Sequence, residues 1–252
     1  MKKIVLSGCV LMTICSFIIC PTYVYAECGP SKGLVSGMTL TSTYVAPTGT
    51  VSDKPGMIDD EDEVVQSQVD SSDFVTIGNN LILSKKYQEA ITAYDQALAV
   101  NPEDPDAWNG KMSALLYLVK YEDVLDLFNE AHDIIPKDFG IWVNKGRAEY
   151  YLQRWDDAQK SAEKSLNLKN NNLDALILKA DSLAIRGEKD ALTVTDLIIN
   201  ADPDNPDIWF ARGLALGQKD PEAVDAYLKD IEFHPERSCS YFYLVKIYID
   251  NH

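Results

Sequence analysis

Tryptophan and proline residues recur at a fixed interval through most of this chain. Trp108 and Trp142 are 34 residues apart, and Pro102 precedes Pro136 by the same distance. Trp209 follows Trp142 by 67 residues, which is one interval of 34 and one of 33. Such a period is typical of repeat architectures, in which each unit is too small to form its own core and is stabilised by stacking on its neighbours. The sequence therefore predicts a solenoid.

Each repeat unit contains two helical patterns. Apolar and small residues recur at intervals of three and four in two stretches, separated by a short polar turn such as Ser84–Lys86. In the first unit, Pro102 ends the second stretch, because proline cannot continue a helix. A final segment of helical character follows the last pair. The predicted units are about 71–104, 105–138, 139–172, 173–205 and 206–237, and the final segment is 238–252.

The order of residues within a unit resembles the tetratricopeptide repeat (TPR) family, whose pattern is aromatic, Leu-Gly, Tyr, Ala, aromatic, Ala and a closing Pro. Unit four departs most, since Leu176 takes the aromatic position. The resemblance implies an all-α, right-handed superhelical solenoid of antiparallel helix pairs, with about five units and a C-terminal capping helix. The first unit matches at Phe74, Gly78, Tyr87, Ala90, Tyr94, Ala97 and Pro102.

The N-terminus has the features of a signal peptide. Lys2 and Lys3 precede an apolar run at 4–20, and a Val-Tyr-Ala sequence ends at Ala26. We therefore expect cleavage after Ala26 and an extracytoplasmic location, which would make the protein similar to secreted prokaryotic members of the repeat family. The alternative is an uncleaved membrane anchor, because the apolar run reaches the lower limit of a spanning helix.

Residues 27–70 lack sustained periodicity. They are rich in Gly, Pro, Ser and Thr and include the acidic cluster Asp59–Glu63, so we predict a flexible acidic linker. Cleavage after residue 26 would leave two cysteines, Cys28 and Cys239. They could remain unpaired or form one disulfide, and the sequence leaves both alternatives open.

Charge and motif content exclude several functional classes. The chain has 39 acidic and 23 basic side chains and a net charge of −16. A surface with this charge and no separate basic patch repels nucleic acid and anionic membranes. The three histidines have no partner at metal-ligand spacing. We therefore predict no catalytic site, no metal and no cofactor, and we expect a protein that is not an enzyme.

Units two to five carry a cation where the family pattern has leucine. It lies three residues after the aromatic position, which places it on the packed side of the first helix at about 100° per residue. We expect the aliphatic stems to cover the seam between units while the charged heads reach neighbouring carboxylates. The alternative is a track for an acidic ligand. The four cations are Lys111, Lys145, Lys179 and Arg212.

Two further features predict local packing. Met112 and Val124 occupy positions where the other units pair small residues, so the two helices of unit two should cross at a greater distance. Apolar residues at helical spacing in the final segment should cover the exposed end of the last hairpin. These predicted capping residues are Tyr241, Leu244, Val245 and Tyr248.

The family resemblance implies that the first helix of each unit forms the inner wall of a groove. Asparagine amides can pair with an extended peptide backbone, and tyrosine rings offer large contact area at low entropic cost. Aspartates in the later units favour a neutral or basic segment. The candidate groove residues are Asn79, Asn109, Tyr117, Arg147, Tyr150, Tyr151, Asp181 and Phe210.

The sequence thus predicts an exported protein–protein interaction scaffold that binds an extended peptide or protein partner in its groove. One alternative is a structural envelope protein that self-associates as a homo-oligomer through its C-terminal helix and has no groove ligand. A carbohydrate-binding module or an enzyme is a weaker alternative, because no acid, base or metal constellation stands out.

Overall fold

The computed structural model describes residues 70–236 and 238–251, and every regular element in these ranges is an α-helix. The predicted all-α repeat fold is confirmed. The predicted signal peptide, the linker with its acidic cluster, and Cys28 lie outside the described residues. The eleven helices of the described ranges are α1 (Ser71–Leu83), α2 (Tyr87–Val100), α3 (Pro105–Tyr117), α4 (Tyr121–Ile134), α5 (Phe139–Tyr151), α6 (Trp155–Leu168), α7 (Leu173–Ile185), α8 (Asp190–Ala201), α9 (Ile208–Leu216), α10 (Pro221–Phe233) and α11 (Ser238–Asp250).

Local sequence signals fix where several helices begin. Asp104 precedes α3 and its carboxylate accepts hydrogen bonds from the backbone N–H groups of Asp106 and Ala107. Asp220 caps α10 in the same way. Proline is the first residue of both helices, where its missing N–H has no cost. These signals fix where α3 and α10 begin, so the phase of the repeat is set locally in units two and five.

The packing pattern shows which helices form the inner wall of the stack. The first helices of consecutive units, α1, α3, α5, α7 and α9, pack against one another as well as against the second helices. Among the described residues, consecutive second helices make hardly any close approach. The stack therefore bends towards the first helices, and we call their accessible surface the inner wall.

Glycines in the first helices make room for an aromatic ring from an adjacent second helix. A Cβ on Gly78 would lie 2.5 Å from the ring of Tyr94, and a Cβ on Gly110 would lie 2.4 Å from the same ring. Gly213 has the same relation to Tyr227 at 2.6 Å. Both tyrosines are essentially inaccessible to solvent. These glycines therefore accommodate the buried tyrosine rings as well as the close crossing of the helices.

Unit two differs from the other hairpins as predicted. Met112 and Val124 are fully buried between α3 and α4. These two helices pack less closely than the helices of the other pairs. The expected wide crossing is confirmed, and its cause is the volume of two side chains where the other units have small residues.

The C-terminal helix covers the last hairpin, but with a different face from the one predicted. Tyr243 and Ile247 are buried against Phe210 and Tyr227, whereas Tyr248 is 66% exposed. Of the four predicted capping residues, Leu244 alone joins this cluster, and it is partly buried. The prediction was wrong in register because α11 is apolar on most of its circumference, so the spacing did not select one face.

Each hairpin turns through a residue with positive φ. Gly187 and Gly217 hold this conformation in units four and five, but unit two has Val119 at φ 63°. A β-branched residue in the left-handed region is strained by about 1 kcal/mol or more. Val119 is also 60% exposed, so its side chain contributes little packing.

We therefore expect Val119→Asn to stabilise the protein by about 1 kcal/mol, because asparagine tolerates the left-handed conformation. Urea unfolding measures the difference. Leu197→Asn, at a 56% exposed position inside α8, is the control and should not stabilise. An equal gain from both variants would show that replacing an exposed apolar side chain by a polar one, and not relief of backbone strain, is responsible.

Candidate functional site

Five of the eight predicted groove residues are partly accessible on the inner wall. They are Asn79, Asn109, Tyr117, Arg147 and Tyr151, and they come from α1, α3 and α5. The accessible part of the predicted groove therefore lies in units one to three. Each of the five side chains also contacts a residue of another helix, so the wall is held in a fixed arrangement.

The other three predicted groove residues are buried. Tyr150 is 3% exposed, Asp181 4% and Phe210 5%. Phe210 packs with its ring centroid 6.1 Å from Tyr227 and 6.0 Å from Tyr243. The prediction that these side chains face a ligand is corrected here, because neighbouring helices cover positions that the repeat register places on the wall.

Two tyrosine pairs mark the edge of the inner wall where α3 and α5 end. The rings of Tyr87 and Tyr117 stack with centroids 4.8 Å apart and an interplanar angle of 11°. Tyr121 and Tyr151 repeat this arrangement at 4.9 Å and 10°. In each pair the last residue of a first helix meets the first residue of the preceding second helix. We refer to these four residues as the tyrosine pairs.

Only one member of each pair is a predicted groove residue. Tyr87 and Tyr121 stand in the sequence pattern as markers of the repeat. The signal that could have found them is the 34-residue interval itself, which separates both members of one pair from their equivalents in the next. All four residues remain partly exposed.

Asn109 is engaged by its own helix and by α5 with its capping residue. Its amide nitrogen donates to the Asp138 carboxylate at 2.9 Å and to the backbone carbonyl of Pro105 at 2.8 Å. Its amide oxygen accepts a hydrogen bond of 3.0 Å from the side-chain nitrogen of Asn144, which is buried. Asn109 thus joins units two and three, and its amide is committed to that junction.

Arg147 and Asn79 are also held within the protein. The Arg147 guanidinium lies 2.7 Å from the Asp174 carboxylate, which joins unit three to unit four. The hydroxyl of Tyr94 donates to the Asn79 side-chain oxygen at 2.7 Å. The polar candidates therefore stabilise the wall, and the partly exposed tyrosine pairs supply its apolar contacts.

The inner wall is negatively charged where α3 and α5 begin, at the opposite end of these helices from the tyrosine pairs. Burial, together with the nearby charges of Asp104 and Asp138, raises the pKa of the Asp106 carboxyl group above its ordinary value. The three carboxylates together give this end of the wall a negative potential that a cation would relieve. This part of the wall is therefore suited to a positively charged group.

The cations that replace leucine in the family pattern lie on the seam between units, as predicted. Lys111 is 2.7 Å from Asp95, and Lys179 is 3.0 Å from Glu163. Arg212 pairs with Asp196. Each carboxylate lies in the preceding second helix, 16 residues earlier in the sequence. Three of the four cations thus pair with a carboxylate of the preceding second helix, which argues against a track for an acidic ligand.

Lys145 is the exception, because the residue 16 positions earlier is Asn129. Its ammonium group lies 4.6 Å from the centroid of Phe128 and 5.1 Å from that of Trp142. It also lies 3.6 Å from the carboxylate of Glu149, which is 6% exposed. Burial raises the pKa of Glu149, while a 2.6 Å hydrogen bond from Ser161 and the charge of Lys145 act in the opposite direction.

Lys145→Ala should therefore destabilise the protein by about 2 kcal/mol, because it leaves a buried carboxylate without its cation and removes two cation–π contacts. Lys111→Ala is the matched control and should cost less than about 1 kcal/mol, since its partner Asp95 is half exposed. Thermal and urea unfolding of both variants test this difference. Equal losses would contradict the special role of the buried carboxylate.

The described part of the chain holds no cluster suited to a metal ion. There, no group of three or more His, Cys, Asp or Glu side chains is arranged to hold one. No helix between residues 70 and 251, leaving aside residue 237, is long and apolar enough to cross a membrane.

Comparison with known proteins supports the tetratricopeptide repeat family for this chain. Residues 78–111 match the family model described as TPR repeat. No curated protein sequence matches the chain. The repeat predicted from residue spacing thus agrees with an independent family model across the junction of units one and two.

Several solved structures share the fold. A thermophilic TPR protein from Thermus thermophilus is similar over 71% of this chain and 99% of its own length, with a TM-score of 0.58 and 20% identity. A tetratricopeptide repeat protein from Parabacteroides merdae covers 74% of both chains, with a TM-score of 0.54 and 18% identity. YrrB, described as a TPR protein with an unusual peptide-binding site, covers 68% of this chain and 90% of its own, with a TM-score of 0.50 and 20% identity.

Proposed function

We propose that this protein is an exported scaffold that binds an extended segment of a partner protein on the inner wall of units one to three. The observation that carries the proposal is the repetition of the tyrosine pairs one unit apart on a rigid wall. Partly exposed aromatic rings on a fixed scaffold give contact area at low entropic cost. An extended chain, whose side chains project at regular intervals, can use such equally spaced contacts.

The comparisons support binding of this general kind. YrrB, which shares the solenoid, is described as having a peptide-binding site. In the present chain the polar groups of Asn79, Asn109 and Arg147 are occupied within the wall. The tyrosine pairs are therefore the main anchors of the proposal, and binding energy at interfaces concentrates in few such residues.

The charge of the wall favours a basic partner segment. Asp104, Asp106 and Asp138 lie near one another where α3 and α5 begin, and burial, with a smaller contribution from the charges of Asp104 and Asp138, raises the pKa of the Asp106 carboxyl group. A lysine or arginine of the partner would relieve this repulsion, and the net charge of −16 would speed its approach. Negatively charged segments should be rejected.

Export is supported by two features of different kind. The sequence begins with the order of basic, apolar and small residues that a signal peptidase recognises. Cys239 is disulfide-bonded, and disulfides persist mainly in oxidising compartments outside the cytoplasm. Intact mass of the protein from its native host tests this part, and a chain that begins at Glu27 is the expected result.

Selection from a random peptide library on the immobilised protein 27–252 tests the binding function. We expect recovered peptides to be rich in lysine or arginine and to bind with saturable calorimetric titrations. Tyr117→Ala and Tyr151→Ala should each weaken binding at least about fivefold, or about 1 kcal/mol. Asp106→Asn should weaken basic peptides specifically.

The matched control is Leu197→Ala, on second helix α8, where the side chain is 56% exposed and distant in sequence from the wall. It should leave affinity unchanged. Binding that is insensitive to both tyrosine variants, or peptides enriched in Asp and Glu, would overturn the proposed site and its charge preference.

A further inference from the structure

α11 occupies the place of a first helix in a sixth unit. It packs against α10 as earlier first helices pack against the preceding second helix. Within residues 70–236 and 238–251, no second helix follows it to complete the unit. Its far side consequently remains accessible, with Tyr248 66% and Ile249 64% exposed. An exposed apolar surface of this kind is suited to being covered by another segment.

A covalent bond already joins α11 to another part of the chain. Cys239, the second residue of α11, is disulfide-bonded and 2% exposed. It is the one cysteine among the described residues, and the other four all precede residue 70. They are Cys9, Cys15, Cys20 and Cys28. Removal of residues 1–26 would leave Cys28 as the sole partner available within one chain.

The segment that follows Cys28 has the composition to cover an apolar surface. It carries no charged side chain from residue 33 to residue 52, and six apolar or aromatic residues fall within a short stretch. By contrast, its acidic cluster lies at the opposite end, next to α1. The six residues are Leu34, Val35, Met38, Leu40, Tyr44 and Val45.

The chain length permits the connection. Residues 29–69 can extend over roughly 130 Å at about 3.3 Å per residue. A row of six first helices, spaced about 10 Å apart, measures only about 50 Å. The segment can therefore leave α1, pass along the stack and reach α11 without tension.

We propose that the exposed side of α11 is covered by the protein's own N-terminal segment, residues 29–45, which a disulfide between Cys28 and Cys239 holds in place. The inference rests on the proposed export and removal of residues 1–26. Bond formation takes two protons and two electrons from the two thiols, and the disulfide form of an extracytoplasmic thiol oxidoreductase accepts them. The segment then covers apolar side chains of α11 that are otherwise exposed.

Peptide mapping of the protein 27–252, produced in an oxidising compartment, tests the bond. Free thiols are blocked with iodoacetamide before digestion without reductant. We expect one linked peptide pair containing Cys28 and Cys239, and no blocked cysteine. Two blocked cysteines, or a covalent dimer joined through either cysteine, would overturn the proposal. A native protein that retains residues 1–26 would refute the processing step instead, and neither result depends on peptide binding by the inner wall.

Hydrogen exchange tests the covering separately from the bond. Cys28→Ser should increase exchange of the α11 amides at least about threefold and lower the melting temperature by about 5 °C or more, while α3 and α5 keep their protection. Cys28 lies outside the solenoid, so this variant avoids the cavity that replacement of buried Cys239 would create.

Unchanged α11 exchange in Cys28→Ser would show that the segment is attached without covering the helix, and would overturn the docking. A gain of dimer in light scattering on Cys28→Ser would support it, because a second copy would then take the uncovered face.

Discussion

Tyr94→Ala is expected to destabilise the protein by about 4 kcal/mol, because it removes a fully buried ring that fills the space left by two glycines. The ring lies against Gly78 of its own unit and Gly110 of the next, so its loss opens a cavity at the junction of units one and two. Burial is also the main reason why the pKa of the Tyr94 phenol is well above its ordinary value. Urea unfolding of the unmodified protein and of Tyr94→Ala measures the loss of stability.

Tyr94→Phe separates the ring from its hydroxyl. The hydroxyl donates one hydrogen bond to Asn79, so the phenylalanine variant should lose only about 1 kcal/mol. If the two variants lost the same stability, the hydrogen bond rather than the packing of the ring would hold the junction. A loss below about 1 kcal/mol for Tyr94→Ala would contradict the buried position itself.

Deletion of residues 238–252 should have an effect of similar or greater size, about 5 kcal/mol, because it exposes Phe210 and Tyr227 and removes the burial of Tyr243 and Ile247. Asp230 is fully buried and accepts a 2.5 Å hydrogen bond from Ser240 of α11, so the deletion also removes a partner of a buried carboxylate. Thermal unfolding and light scattering of the truncated protein measure the consequence.

A point variant distinguishes lost packing from a general effect of truncation. Ile247→Ala should cost about 3 kcal/mol because Ile247 is 6% exposed. Leu197→Ala removes an aliphatic side chain that is 56% exposed and should cost less than about 0.5 kcal/mol. A truncated protein that stays monomeric with an unchanged melting temperature would contradict the capping role of α11.

The architecture can be predicted from the sequence because every repeat unit carries the same constraint. Trp108 and Trp142 fix the period, and local caps such as Asp104 fix where helices begin. The volume of Met112 and Val124 suffices to predict a wide crossing, since the other units supply the comparison. A residue pattern that recurs in every unit can be compared from one unit to the next, whereas the pattern of a single helix has no such comparison.

The inner wall is harder to predict because register alone does not determine burial. Tyr150 and Tyr151 are adjacent, yet the first is 3% exposed and the second is partly accessible on the wall. Phe210 occupies an inward position of unit five but is covered by Tyr227 and Tyr243 from two later helices. Which inward side chains stay accessible depends on neighbours in other units, and a residue count within one helix does not contain that information.

Whether a polar residue has a structural or a ligand-binding role is hard to predict for a similar reason. Asn109 has the residue type expected of a peptide-binding groove, but its amide is used by Asp138 and Asn144. These partners are 29 and 35 residues away, so no local pattern connects the three. The sequence indicates only one member of each tyrosine pair for the same reason, since each pair joins two units.

The measurement that tests the binding function most directly is photo-crosslinking from the inner wall. A benzoylphenylalanine placed at Tyr151 keeps an aromatic ring beside Tyr121, and the same group at Leu197 reports on the exposed side of α8. With a basic peptide selected on the protein, we predict a covalent adduct from position 151 that unlabelled peptide competes away, and none from position 197. An adduct from position 197 with none from position 151 would contradict the inner wall as the binding site.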